Sequence, residues 1–192
     1  MKKNMFFLAG ALLIWLSAMI GLVTLPKYLV QSSEQATIDS LYVPPEIKNG
    51  HAIYVEEGCV YCHSQQVRPE GFGADAERGW GIASRAIDYK NLTPHVLGTM
   101  RTGPDLSNIG KRQPSRDWHY IHLYNPRAVV SKSIMAPYPW LFSVVDEDSK
   151  PDAPGLNLPP DYKIPGKKVI PTEKAENLVD YLLSLKQERN NE

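Results

Sequence analysis

Residues 5–25 form a run of 21 without a single charged side chain. The hydrocarbon of a bilayer offers backbone N–H and C=O groups no partner, so a segment this apolar must satisfy them internally, as a helix. At the α-helical rise it would reach about 32 Å, close to the thickness of the hydrocarbon region. A cleaved signal peptide has a shorter apolar stretch, roughly 7–15 residues, ending in a small-x-small site. Nothing of that kind comes after Leu25. The run therefore predicts a retained transmembrane anchor within residues 1–29, meeting lipid through residues 5–25. Lys2, Lys3 and the terminal amine precede it. They predict a cytoplasmic amino terminus and a single pass that sends residues 30–192 to the far side. In a bacterium those compartments are the inner membrane and the periplasm.

The rest of the chain suits one domain, since domains usually run to about 100–150 residues. Residues 30–45 are polar and end in Pro44 and Pro45, which reads as a linker; residues 46–192 are read as the folded domain. Lys plus Arg and Asp plus Glu both total 21, so the net charge is zero, which argues against nucleic acid as a partner. Residues 46–58 suit a helix ended by Gly58. Residues 69–114 show little periodicity and read as loops with short turns. Residues 115–125 suit a short helix with Ser115 as N-cap and Pro126 as stop. Residues 144–171 hold six prolines and are expected to be extended loop. In residues 172–187, Thr172 is a candidate N-cap, and Leu178, Tyr181, Leu182 and Leu185 recur at helical spacing.

The only two cysteines lie in Cys59-Val60-Tyr61-Cys62-His63. Besides a structural disulfide, which would constrain almost nothing across two intervening residues, three roles compete for this C-x-x-C-H spacing. A redox dithiol sits in a βαβ context, of which there is no sign. A structural zinc needs four ligands, and the chain has no further cysteine to supply them. The third role is covalent attachment of haem c. Two thiols three residues apart can each form a thioether to one haem vinyl group, and the adjoining histidine then lies beneath the ring to bind iron. The expected cofactor is therefore one covalently attached haem c.

A haem c domain needs a sixth iron ligand, and beyond the motif the methionines are Met100 and Met135. His/Met ligation raises the potential and leaves no open site, which suits electron transfer. The stretch 101–106, RTGPDL, resembles the segment lining the histidine side of haem in class I cytochromes c. There the carbonyl of the proline, here Pro104, orients the ligand histidine. The resemblance puts Met100 on the histidine side and leaves Met135, in a loop stiffened by Pro137 and Pro139, as the ligand. Class I cytochromes c also cross an amino-terminal helix with a carboxy-terminal one, for which Gly50 and Tyr54 would meet Leu178 and Tyr181. The fold class expected is mainly α: one amino-terminal transmembrane helix plus a class I cytochrome c domain with long loops.

Four stretches carry a closer resemblance: YVEEGCVYCHSQQVRP, RTGPDLSNIGKR, DWHYIHLYNPRAVV and MAPYPWL. In this order they resemble the membrane-anchored mono-haem subunit of cbb3-type cytochrome c oxidases. The resemblance implies Cys59 and Cys62 as haem attachment points, with His63 and Met135 as axial ligands. It also implies a haem–copper catalytic subunit and other cytochrome c subunits as partners. Such a chain is not catalytic alone; it passes electrons towards the catalytic subunit.

Haem propionates need donors. Arg68, Arg101 and Arg112 are candidates, with Arg112 favoured because it lies eight residues after Pro104, where class I cytochromes c often carry this role. Trp118 is either a propionate donor or core. His119 and His122 are three apart on the predicted helix; without an acidic or cysteine partner nearby they read as hydrogen-bonding or surface histidines. His51 and His95 carry no signal. Two other functions compete: a tethered electron shuttle or cytochrome subunit of another respiratory complex, such as a nitric oxide reductase or quinol oxidiser, and a gas sensor or enzyme with an open iron site.

Overall fold

Helix α1, Lys2–Met19, continues through a π turn at Ile20–Thr24. A computed structural model of the chain describes residues 2–29, 43–89 and 92–187, so most of the expected linker, residues 30–42, lies outside the described residues. The apolar span Asn4–Leu29 has a mean hydropathy of 2.4 and buries none of its surface within the protein. Its two aliphatic hydroxyls are satisfied along the helix. Ser17 Oγ donates to the Ile14 carbonyl at 2.8 Å, and Thr24 Oγ1 donates to the Met19 carbonyl at 3.2 Å across the π turn. A helix built this way leaves neither hydroxyl bare to hydrocarbon.

The described residues form two compact units, one containing α1 and the turn Ala86–Tyr89, the other residues 43–84 and 92–187. The second opens with α2, Pro45–Glu56, whose first-turn proline has no amide N–H to leave unpaired. Its face of Gly50, His51, Ile53 and Tyr54 is buried. Against it lies α5, Glu173–Ser184, where Thr172 Oγ1 accepts the Ala175 amide and Ala175, Leu178, Val179, Tyr181 and Leu182 face inward. The helices cross at Gly50. A Cβ there would run into the Asn177 carbonyl and the Tyr181 Cβ, so only glycine permits this approach. Tyr181 then meets His51 and Tyr54 edge-on, with ring centroids 5.4 and 5.5 Å apart.

Between the crossing helices run α3, Ile109–Arg112, and α4, Arg116–Tyr124. Gly110 lies against the Leu183 backbone and donates its N–H to the Leu185 carbonyl at 3.0 Å. Ser115 caps α4 by accepting the Trp118 amide, as expected, and Arg116 ties α4 to Asp180 of α5.

The proline-rich stretch corrects the expectation of mere loop. Strand β1, Phe142–Asp146, pairs antiparallel with β2, Lys167–Pro171, in a register that sets Phe142 opposite Pro171 and Asp146 opposite Lys167. The extended backbone was foreseeable from the prolines; its pairing was not, because the partners lie about twenty residues apart with no alternation to mark them. Residues 147–166 form an excursion that folds back on the ladder, the Leu156 amide donating to the Val169 carbonyl at 2.8 Å and Leu158 becoming buried. Thr172 then accepts for α5 while donating Oγ1–H to the Leu141 carbonyl at 2.7 Å. The ladder thus returns the chain to the start of α5.

Gly50→Ala should open the α2–α5 crossing and cost about 3 kcal/mol, the upper end of overpacking penalties. Chemical denaturation of the detergent-solubilised full chain, followed by far-UV circular dichroism, measures it; a loss below about 0.5 kcal/mol would contradict this crossing.

Candidate haem-binding site

Helix α2 ends at Gly58 in the left-handed conformation, φ 71°, and the chain turns at once into the 3-10 turn Cys59–Tyr61. The Cys62 and His63 amides both donate to the Cys59 carbonyl, at 3.2 and 3.0 Å. Both sulfurs and the imidazole therefore hang from one turn. The thiols are free: Cys59 is half-buried and Cys62 exposed. Burial, reinforced by the charge of Glu57, pushes the Cys59 thiol up to about 12. A redox dithiol needs a lowered thiol pKa, so this environment disfavours that role.

His63 is held by its ring. Nδ1 lies 2.7 Å from the Pro104 carbonyl. A carbonyl only accepts, so Nδ1 carries the proton and Nε2 presents a lone pair. Burial, aided by the charge of Arg112, holds the His63 pKa below the ordinary histidine value, while the Pro104 bond and Asp105 oppose it. The ring is thus neutral, the form that ligates metal. A Cβ at Gly103 would occupy the space of the His63 ring, and Gly98, at φ +66°, lies against the His63 and Val60 carbonyls. The Gly103 amide donates to the Cys62 carbonyl at 3.0 Å. Segments 98 and 103 thereby cradle the turn. Met100 lies between them in sequence and is 57% exposed.

Met135 is half-buried against the core. Its amide donates to Ser133 Oγ at 3.2 Å, and its loop is tied to α4 by the Tyr138 amide, which donates to the Leu123 carbonyl at 2.8 Å.

Arg101 and Arg112 have different surroundings. Arg101 Nη1 and Nη2 grip both oxygens of Asp75, at 2.5 and 2.7 Å; Nε donates to Ser64 Oγ at 2.9 Å and Nη2 to the Gln66 carbonyl at 2.6 Å. Its guanidinium also lies 5.0 Å over Trp80, which Arg78 approaches at 4.9 Å. Arg101 therefore ties residues 64–66 to the 75–80 loop. Arg68 joins that knot through its amide, 2.7 Å from Asp75 Oδ2. Arg112 donates one Nη2–H to the Asp105 carbonyl, and its Nε is buried without a partner.

Trp118 stacks on His122 at 4.5 Å and 12°, and meets His119 edge-on. His119 is satisfied, Nε2 lying 2.8 Å from the Gln113 carbonyl. His122 is not: its Nδ1 is buried and unpartnered, and burial, with the proximity of His63 and His119, lowers its pKa to about 4. Buried polar atoms without partners are rare in a finished fold. Two of them, Arg112 Nε and His122 Nδ1, belong to side chains electrostatically coupled to His63. Paired thiols, an oriented neutral imidazole, a half-buried thioether and an unspent buried guanidinium donor together fit haem c.

Asp105, Asp75, Trp80 and His122 were not singled out for this site by sequence. Asp105 was visible in RTGPDL but has no chemistry of its own until Ser64 and Gln66 are folded against it.

The family model described as cytochrome C oxidase, mono-heme subunit/FixO matches residues 1–153. No individual curated protein matches the chain.

Burial opposes the charge of Asp75, yet Arg101 and the Arg68 amide hold its carboxyl below the usual carboxylate range. A depressed carboxyl adds stability that is complete above the unfolded value and lost as pH falls through the folded one. Unfolding midpoints should therefore drop as pH falls below about 4. Asp75→Asn should lower stability at pH 7 and flatten that acid dependence, as thermal melts across pH would register.

Proposed function

The chain belongs to the cytochrome c oxidase mono-haem subunit (FixO) family, and from that premise we propose how its residues hold haem and where the haem domain lies. The protein is the mono-haem electron-transfer subunit of a cbb3-type oxidase, with one covalently attached haem c and a haem–copper catalytic subunit as partner. We assign Cys59 and Cys62 to the two thioethers, His63 Nε2 and Met135 Sδ to the two axial positions, and Arg112, with Trp118 at the pocket wall, to the propionates. The observation that carries this assignment is the His63 Nδ1–Pro104 bond beside two free thiols on the same turn. Arg101, committed to Asp75, Ser64 and Gln66, supports the loop rather than a propionate.

Bound haem c supplies a one-electron iron centre of raised potential. The chain's part is to hold that centre still and keep its edge accessible. Pro104 fixes the imidazole tautomer and ring plane. Gly103 lets the backbone close on the ring, while Pro137 and Pro139, which follow Met135, restrain its loop. Cys62 and Tyr61 are exposed, as is Trp140, whose Nε1 donates to Glu57 at 2.9 Å. These groups leave the attachment side open to an electron partner. Helix α1 anchors the domain, and Lys2 and Lys3 favour a cytoplasmic amino terminus with the haem domain on the periplasmic face of the inner membrane. Other cytochrome c subunits of the same complex are the expected electron donors.

Met135→Ala should keep haem attached but lower the midpoint potential and admit carbon monoxide to the reduced iron; an unchanged potential would remove Met135 from the ligand set. Cys59→Ser with Cys62→Ser should abolish haem stain on a denaturing gel. In a mild-detergent pull-down from native membranes, haem b and a multi-helix oxidase subunit should accompany the haem c bands. A lone c-type spectrum would favour a tethered shuttle.

A further inference from the structure

Asp105 directly follows the carbonyl that receives His63, and its side chain is wholly buried. Its oxygens face inward. Oδ2 accepts the Ser64 hydroxyl at 2.6 Å and the Gln66 amide at 2.8 Å; Oδ1 accepts the Ser107 amide at 2.8 Å. Ser64 and Gln66 belong to the segment leaving His63, and Ser107 to the segment carrying Pro104. The carboxylate therefore staples together the two stretches between which the histidine's own bond is made. Backbone bonds flank it, Gly103 N–H to the Cys62 carbonyl at 3.0 Å and Leu106 N–H to the Ser64 carbonyl at 2.8 Å.

The charge balance around this group is uneven. The Arg101 Nη2 atom is 3.9 Å from Asp105 Oδ2 but hydrogen-bonds Asp75 and Gln66 instead. Arg112 donates to the Asp105 backbone carbonyl, not to its carboxylate. Three hydrogen bonds disperse the negative charge, and the Arg101 guanidinium, shared with Asp75, offsets only part of it. Two effects then act on the imidazole in the same direction. A negative charge nearby stabilises an oxidised, more positive centre over its reduced form. A firmly held Nδ1–H···O bond makes the ligand more basic, which also favours the oxidised metal.

We propose that Asp105 is the positioning residue of the axial histidine and that its buried carboxylate sets the haem midpoint potential downward. This rests on His63 being the iron ligand. Clamp and charge can be separated. Asp105→Asn removes the charge, whereas Ser64→Ala removes one bond to the carboxylate and keeps the charge.

The test is redox titration of detergent-solubilised holo-protein, followed at the reduced haem c band. Wild type must first show a low-spin haem c spectrum; without it the site reading fails, and this proposal with it. Asp105→Asn should raise the ferrous-to-ferric ratio about tenfold at fixed ambient potential, a rise of about 59 mV for one electron. Ser64→Ala should lower the thermal midpoint while moving the potential by less than a third of that. An unchanged potential in haem-loaded Asp105→Asn overturns the proposal, as does an equal rise in Ser64→Ala, which would point to loosened packing alone. Should Asp105→Asn fail to acquire haem, Asp105→Glu carries the test. It keeps the charge and should stay near the wild-type potential, and a tenfold rise in its ferrous-to-ferric ratio would overturn the assignment.

Discussion

The bond from His63 Nδ1 to the Pro104 carbonyl sits at the centre of the contact between two parts of the chain 41 positions apart. One is the turn that ends α2; the other is a stretch without periodic structure, residues 98–108. A single neutral hydrogen bond contributes only about 1 kcal/mol net, so this one does not stand alone. Gly103 removes the side chain that would keep the backbone off the ring, and Asp105, one residue past the carbonyl, collects the polar groups of the facing segment. Arg101 and Asp75 extend the same network outward to Trp80. Loops this long stay ordered because their buried polar groups are matched, which is the condition on which polar networks stabilise rather than cost.

The helices were legible because their signals are local. Ser115 and Thr172 announce their helices one residue ahead, and the Leu178–Leu182 spacing marks the buried face of α5. The crossing residues Gly50 and Tyr181 were named from the resemblance to class I cytochromes c, since any amphipathic helix offers similar residue types. The attachment turn was legible because its chemistry fixes its spacing. What escaped depends on distance in sequence. The bond from Arg101 to Asp75, 26 residues earlier, had no local signal to announce it. The β1–β2 ladder is set by register between two short strands separated by a long excursion, with no local signal to pair them.

The family match and the folded unit do not end together. The match stops at residue 153, inside the excursion between the strands, whereas β2 and α5 lie beyond it and complete the core around Tyr181. An excursion pinned at its base by a ladder tolerates changes in length cheaply, since doubling a loop costs only about 0.6 kcal/mol in closure entropy. Divergence in residues 147–166 is therefore compatible with an unchanged haem cradle.

The contact between Tyr181 and Gln65, a 3.0 Å hydrogen bond, spans 116 positions of sequence. Synthesis runs from the amino end, so the thiols of Cys59 and Cys62 emerge long before the helix that closes over their segment. Contacts of such high order form late. The order of elements along the chain thus brings out the attachment turn before the helix that completes its core, and Cys62 is still exposed once α5 has docked, so access to the thiols does not hinge on folding order.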